Sequence, residues 1–243
     1  MCKTIEKLDC CDNLNHEYFM NYNPCDCNMA NAIVIGGSRG IGKAISDGLK
    51  SIGCDVVSTS KKELDTSDLN SVKNFVQNHK ETDILVLNTG GPKAKEFFSV
   101  AEEEWKKYHN QLFLGFCLLL QNITINDGGY VFLISSSVIK EPTPKLVISS
   151  AYRSAFTSVF KILSKKFAER EVSCINIAPG PINTDRTREL FENVEEYEKT
   201  LPMKRLGKPE EIGNFVKSIV ENNIKYLSGV VITFDGAVSS HVF

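Results

Sequence analysis

Between Ala32 and Phe234 the chain alternates short apolar runs with longer segments whose apolar residues recur at helical spacing. The runs are Ala32–Ile35, Cys54–Ser58, Ile84–Leu87, Tyr130–Ile134, Val172–Ile177 and Gly229–Phe234. They are short and rich in Val and Ile, as expected of parallel strands covered on both faces. The intervening segments Ile41–Ile52, Leu69–Asn78, Glu102–Asn122, Ser150–Glu169 and Glu210–Glu221 predict helices. Asp68 is placed to cap the second of these, and Pro209 to open the last. Strand–helix alternation with right-handed crossovers predicts an α/β fold, a single doubly wound parallel sheet of about seven strands, order 3-2-1-4-5-6-7, with helices on both faces.

One interval breaks the pattern. Only Ser60–Leu64 separate the second strand from Asp65, too few residues for a helical crossover, so the third strand must be very short or reached by a plain turn. The 243 residues suit one full domain, taken as 29–243, with no room for a second of comparable size. Residues 1–28 form an Asn-rich extension that reads as poorly ordered. It holds Cys2, Cys10, Cys11, Cys25 and Cys27, with His16 nearby, but lacks the paired C-x2-C spacing of a zinc site, so no metal is expected. Cys54, Cys117 and Cys174 lie in apolar segments, as small core residues do. The formal net charge of -2 argues against general affinity for nucleic acid or an anionic membrane. The apolar run Leu112–Leu120 is interrupted by Gly115 and is too short to span a bilayer. No apolar leader with a small-residue cleavage site is visible, so a cytoplasmic location is expected.

The first strand runs directly into Gly36-Gly37-Ser38-Arg39-Gly40-Ile41-Gly42. Glycines at 36, 40 and 42 permit a tight turn, close approach of backbone to a pyrophosphate, and close packing of helix on strand. The helix that follows offers free N–H groups and a positive dipole to phosphates. An apolar strand opening a βαβ unit is the setting in which such a turn binds a dinucleotide on a Rossmann-type sheet. NAD-binding chains place a carboxylate at the end of the second strand, for the ribose 2′-hydroxyl. Here that strand ends Ser58-Thr59-Ser60-Lys61, and Arg39 is placed to reach the same region. Hydroxyls and cations suit a 2′-phosphate, which makes NADP(H) the expected cofactor.

Further segments follow in a fixed order. They are Leu64-Asp65-Thr66, Asn88-Thr89-Gly90, Pro179-Gly180-Pro181-Ile182-Asn183-Thr184, Met203–Ile212, and Leu227-Ser228-Gly229 with Asp235-Gly236-Ala237. With the turn Ile35–Gly42 they resemble the short-chain dehydrogenase/reductase family from Ala32 to Ala237. The last two resemble that family's 3-oxoacyl-acyl-carrier-protein reductases. The resemblance implies that the 36–42 turn holds the pyrophosphate, with Ile35 where the family has Thr. It implies that Asp65 meets the adenine and that residues 179–184 close over the nicotinamide. The cofactor-binding set expected on both grounds is Gly36, Ser38, Arg39, Gly40, Ile41, Gly42, Thr59, Ser60, Lys61, Asp65, Thr66, Asn88, Gly90, Arg153, Pro179, Gly180, Ile182 and Thr184.

The family's chemistry rests on a Ser, a Tyr, a Lys four residues after that Tyr, and a supporting Asn. Ser136 takes the Ser place; Ser149 stands where the Tyr belongs, Arg153 replaces the Lys, and Leu112 replaces the Asn. Arg153 can hold ribose hydroxyls through its fork. It is permanently charged and cannot relay a proton, although its field can stabilise a developing oxyanion. An alcohol is a far weaker acid than a phenol, whose reference pKa is about 10. Losing the general acid costs about 10²–10⁴ in rate, which leaves room for hydride transfer through positioning and an ordered water. Tyr152 is the nearest phenol that can stand in, about 100° around the helix from Arg153. Helix packing or a subunit contact is its other reading. Lys93 and Lys95 fall near the same rim, where they can contact an acidic substrate or carrier or, as the plainer reading, form solvated surface, while Pro142–Ile148 reads as an apolar wall beside the nicotinamide. Asn-Thr-Gly-Gly-Pro at 88–92 with Ser-x-x-x-Arg at 149–153 resembles a divergent branch of the family.

The implied activity is NADP(H)-dependent reduction of a small-molecule carbonyl, with 3-oxoacyl thioesters the leading class. Ser136, Ser149, Tyr152 and Arg153 are the candidate catalytic residues. The alternative is a non-catalytic NADP(H)-binding protein, a sensor or an oligomeric partner, that has lost the Tyr. The segments Glu102–Asn122 and Ser150–Glu169 resemble the helix pair that joins family subunits, which implies a homo-oligomer, tetramer or dimer.

Overall fold

Each of the six apolar runs becomes a strand. In the computed structural model, which describes residues 29–191 and 193–242, these are β1 Asn31–Val34, β2 Asp55–Ser58, β3 Glu81–Leu87, β4 Thr124–Ile134, β5 Ser173–Pro179 and β6 Val230–Phe234. The readings made for residues 1–28, disorder and the absence of a metal, lie outside the described residues. All pairings are parallel, in the order β2-β1-β3-β4-β5-β6. Among the described residues the sheet has six strands, in keeping with the about seven expected, and β2 is its edge beyond β1. Where the further strand would lie, the backbone turns twice, with the Leu64 N–H on the Ser60 carbonyl and the Asp68 N–H on the Asp65 carbonyl, each at 3.0 Å. Five residues are too few to cross over and start another strand, and the chain passes straight into the next helix.

Helices cover both faces. On one face α1 (Gly40–Ser51) and α8 (Pro209–Glu221) bring Ile45, Leu49, Ile212, Val216 and Ile219 against Val34, Val86, Phe132 and Ile177. On the other, α2 (Leu69–Asn78), α4 (Gly115–Asn122) and α5 (Val147–Ala168) bring Val72, Phe75, Phe116, Leu119, Phe156 and Phe160 against Ile33, Leu85, Leu87, Val131 and Leu133. Successive strand residues alternate between these two cores, the period of two that a sheet buried on both sides requires. Asp68 caps α2, accepting from the Asn70 N–H at 2.9 Å, and Pro209 opens α8, both as expected.

The segment 102–122 is helical throughout, as expected, but with a π turn within it. Helix α3 (Glu102–His109) passes through a π turn at Asn110–Leu114 into α4. Two short helices not visible in the apolar pattern, α6 (Asp185–Leu190) and α7 (Val194–Thr200), follow β5. No described helix is long and apolar enough to cross a membrane.

Candidate cofactor and active-site cleft

The strand order reverses its direction of growth at β1. From there the chain adds β2 on one side and then returns to lay β3 on the other. Loops leaving the C-terminal ends of β1 and β3 diverge at such a point and leave a crevice between them. A cleft of about 910 Å³ lies there, within the size range of small-molecule sites.

The turn after β1 forms one wall. Gly36 and Gly40 have φ of +63° and +54°, the left-handed region in which an L side chain is strained. A Cβ on Gly42 would press into the Gly36 carbonyl and lie 2.7 Å from Asn88 Nδ2. The turn is clamped from two sides. Asn88, at the end of β3, donates to the carbonyls of Ile35 and Gly36 at 3.2 and 3.1 Å, and the Gly36 N–H donates to Thr59 Oγ1 at 3.2 Å. No side chain caps the N-terminus of α1, so its first-turn N–H groups face the cleft unclaimed by a cap.

Of the expected cofactor residues, Gly36, Ser38, Arg39, Gly40, Ile41, Ser60, Lys61, Asp65, Thr66, Asn88, Gly90, Arg153, Pro179, Gly180, Ile182 and Thr184 line this cleft. Gly42 and Thr59 do not. Gly42 packs helix on turn from behind, and Thr59 is buried beneath the turn it supports. Burial works against the Asp65 carboxylate, but hydrogen bonds from Ser67 and the Lys61 ammonium, at 3.2 Å, carry its pKa below the ordinary value. Arg39 lies 3.8 Å from Asp185, both widely exposed.

Beside Lys61 the structure adds a residue the sequence reading missed. The strand end carries no carboxylate, but Glu63, five residues after Ser58, turns back. It accepts from the Ser60 N–H at 2.7 Å and from the Ser60 hydroxyl, and the latter bond holds the Glu63 carboxyl below its usual range. The i,i+3 spacing to Ser60 is the signal that was available.

Ser136, Ser149 and Arg153 also line this cleft. Ser136 lies two residues past the end of β4, and its Oγ accepts from the Val138 N–H at 3.4 Å. Arg153, on α5, is 8% exposed. Its Nη1 donates to the carbonyls of Ile134 and Ser135 at 3.0 and 3.2 Å, and its Nη2 to that of Thr89 at 3.2 Å. It thereby ties the end of β4 to the loop after β3. Burial, and then the nearby Arg186 guanidinium, pushes Arg153 down to about 10, so it stays charged at neutral pH.

Tyr152 is not brought to the cleft. Its ring packs edge-on against Trp105 and His109 of α3, with centroids 5.8 and 5.5 Å away, and it does not line the cavity. One residue's rotation on α5 separates it from Arg153 and turns it to the helix–helix contact, which corrects its assignment as a catalytic candidate. Leu112 is buried and away from the cavity. Its neighbour Gln111, in the π turn, lines the cleft instead and donates to Thr89 Oγ1 at 3.2 Å and to the Gly90 carbonyl at 2.8 Å. The apolar wall is formed by Pro142, Thr143, Pro144 and Leu146; Val147 and Ile148 are not part of it. Lys95 pairs with Glu104 at 2.6 Å and Lys93 is exposed, both outside the cavity. Tyr108, Glu141, Arg186 and Tyr197 line the cleft and were not anticipated.

A doubly wound sheet with a glycine-lined, cap-free helix N-terminus at its switch point defines an α/β protein with a dinucleotide-type cleft. The family model described as enoyl-(acyl carrier protein) reductase matches residues 62–239, more than half of the chain. The chain belongs to the short-chain dehydrogenase/reductase family that this model describes. It is 27% identical over 239 residues to the 3-oxoacyl-[acyl-carrier-protein] reductase FabG of Chlamydia trachomatis, covering 86% of this chain and 96% of that one. Against the dehydrogenase/reductase SDR family member 4 of Bos taurus it is 26% identical over 253 residues, 90% of each. Among solved structures, a blue fluorescent protein from a metagenomic library in complex with NADPH shares the fold with a TM-score of 0.79 at 22% identity, covering 87% of this chain and 98% of the other.

Proposed function

We propose that this chain is an NADP(H)-dependent oxidoreductase that reduces a carbonyl, with 3-oxoacyl thioesters the leading class from its relatives. The observation that carries the reading is the cleft itself. A clamped glycine turn and free helix N-terminus suit the phosphates of a dinucleotide, Arg39 at the start of α1 and Lys61 past the end of β2 line the cleft with charge that suits a 2′-phosphate, and Ser136, Ser149 and Arg153 line the same cleft. The space is of the right size, and the glycine positions are those a side chain would fill.

When bound, NADPH supplies the hydride. Arg153, fixed by its bonds to Ile134, Ser135 and Thr89, keeps one positive charge beside the reacting end. Ser136 donates to the substrate carbonyl oxygen and orients it. Ser149 relays a proton from water to that oxygen, a slower route than a phenol provides. Pro142, Pro144 and Leu146 exclude bulk water from the reacting face. Chain pairing through the α3–α4 and α5 helices into a dimer or tetramer belongs to the same reading, which light scattering checks. The outer face of α5 exposes Ile162.

One observation favours a second reading, a non-catalytic NADP(H) binder: Tyr152 is turned away to Trp105. NADPH oxidation with a panel of 3-oxoacyl thioesters and small ketones separates the two. Turnover by the native chain supports the oxidoreductase. No turnover, with turnover gained in Ser149→Tyr/Arg153→Lys, sinks it.

A further inference from the structure

Two guanidinium groups converge on one point of the cleft. A Cβ built on Gly91 would lie 3.9 Å from Arg153 Nη2 and 4.0 Å from Arg186 Nε, so these nitrogens are within about 8 Å of each other. Both arginines line the cavity, and the Arg186 guanidinium adds to burial in lowering the Arg153 pKa. Among the described residues no carboxylate forms an ion pair with Arg153, whose Nε is buried without a partner. Arg186 uses Nη2 to bond the Pro92 carbonyl, across the cleft from its own helix α6, and Nη1 to meet the exposed Glu189 at 3.3 Å. Its Nε is the atom turned toward Gly91.

Like charges held this close, one of them buried, are costly unless an anion joins them. Three of the five Arg153 N–H groups go to carbonyls of Ile134, Ser135 and Thr89, which leaves one Nη2–H directed elsewhere. A carboxylate accepting from each side at about 2.8 Å spans a gap of this size. On the reductase reading the phosphates of a dinucleotide are taken by the 36–42 turn, Arg39 and Lys61, and its nicotinamide ribose is uncharged. Glu189 meets Arg186 only from its exposed side, so the substrate is the source left for an anion between the two guanidiniums.

We infer that the substrate carries a carboxylate close to its reacting carbonyl, as in a 2- or 3-oxo acid, and that Arg186 with Arg153 binds it over Gly91. This rests on the NADP(H)-reductase reading above and narrows it, since an acyl thioester is uncharged at that point. Arg186 is the specificity-determining partner: it lies on a part-exposed loop helix, and its removal leaves the fold's core untouched.

The test uses the full chain with NADPH bound and two probe pairs, pyruvate with methyl pyruvate and acetoacetate with methyl acetoacetate. The readouts are NADPH oxidation and the change in bound-NADPH fluorescence. At least one acid is expected to exceed its ester by about tenfold or more in kcat/KM or in affinity, the usual weight of a hydrogen-bonded charge. Arg186→Gln should remove that preference mainly through KM, Arg186→Lys should restore part of it, and NADPH affinity should stay within about twofold in both variants. The inference is overturned if esters match or surpass the acids, if neither probe perturbs the bound cofactor, or if Arg186→Gln weakens NADPH as much as the acid. Failure of the native chain to bind NADPH at all is a separate result, and it overturns the reductase reading on which the inference stands.

Discussion

Replacing Arg153 by Met tests whether the residue at the Lys position is a structural tie as well as a cleft group. The change keeps an unbranched stem and removes three hydrogen bonds to the carbonyls of Ile134, Ser135 and Thr89. A buried acceptor left unpaired costs about 1–3 kcal/mol. The Thr89 carbonyl borders the cleft, where water can replace the lost donor, so the loss falls mainly on the two buried acceptors at the end of β4. Against this stands relief of a guanidinium that burial has pushed down to about 10, since a buried charge is expensive and its removal can stabilise. The carbonyls remain after the substitution and the desolvated cation does not. Because the backbone acceptors cannot be exchanged for apolar atoms, the balance should fall at about 2 kcal/mol of destabilisation. For a chain of this size that is a drop of about 4–8 °C in Tm. Arg153→Lys should fall between, because a single ammonium cannot span all three carbonyls in one plane. Circular dichroism melts of the full chain without ligand give the measurement. An unchanged or raised Tm in Arg153→Met would refute the reasoning, because burial of the charge would then outweigh the tie.

Glu63 sets up a second prediction. Its carboxylate occupies the N–H and hydroxyl of Ser60 and adds a negative charge next to that residue. Glu63→Gln should therefore tighten NADPH several-fold while changing NADH little, by fluorescence titration; equal changes for both would show that Ser60 is remote from the 2′-phosphate. Lys225 provides a pH test away from the cleft. Its ammonium sits 3.3 Å from the centre of the Tyr130 ring and bonds the Gly128 carbonyl, and burial pushes it down to about 8, below the ordinary lysine value of about 10.4. Between those values the unfolded chain holds the proton and the folded chain does not, so this group adds stability as pH rises from about 8 toward 10. Relative to Lys225→Met, native-chain Tm should gain between pH 7.5 and 9.5; a constant difference across that range would remove the argument.

Much of the scaffold was legible because its signals are local. Every strand was visible as a Val/Ile run, and α2 with its Asp68 cap was read to the residue, since a cap and an apolar period coincide there. The glycine turn was legible for the same reason: three glycines at fixed spacing follow directly on β1. The π turn at Asn110–Leu114 was not, because one extra residue in a turn leaves the apolar pattern of a continuous helix nearly unchanged. It matters, since it is Gln111 and not Leu112 that reaches the cleft. Helix α6 was missed because Asp185–Leu190 is short and mostly polar, and with it Arg186, whose importance lies in which loop it meets across the cleft. Tyr152 is the opposite case. The helical angle from Arg153 already pointed it elsewhere, and only the positions of Trp105 and His109 turned that angle into a destination. Glu63 is not legible from the strand end because it lies past Lys61 and reaches Ser60 only by folding back across three residues.

The central claim is that the cleft at the β1–β3 switch point holds NADP(H), with Arg39 at the 2′-phosphate. Its most direct test is a fluorescence titration of the full chain with NADPH and NADH, native and Arg39→Ala. The account predicts one saturable NADPH site per chain, NADH weaker by about tenfold or more, and loss of most of that preference in Arg39→Ala. Absence of NADPH binding, or equal affinity for the two cofactors that Arg39→Ala leaves unaltered, would contradict it.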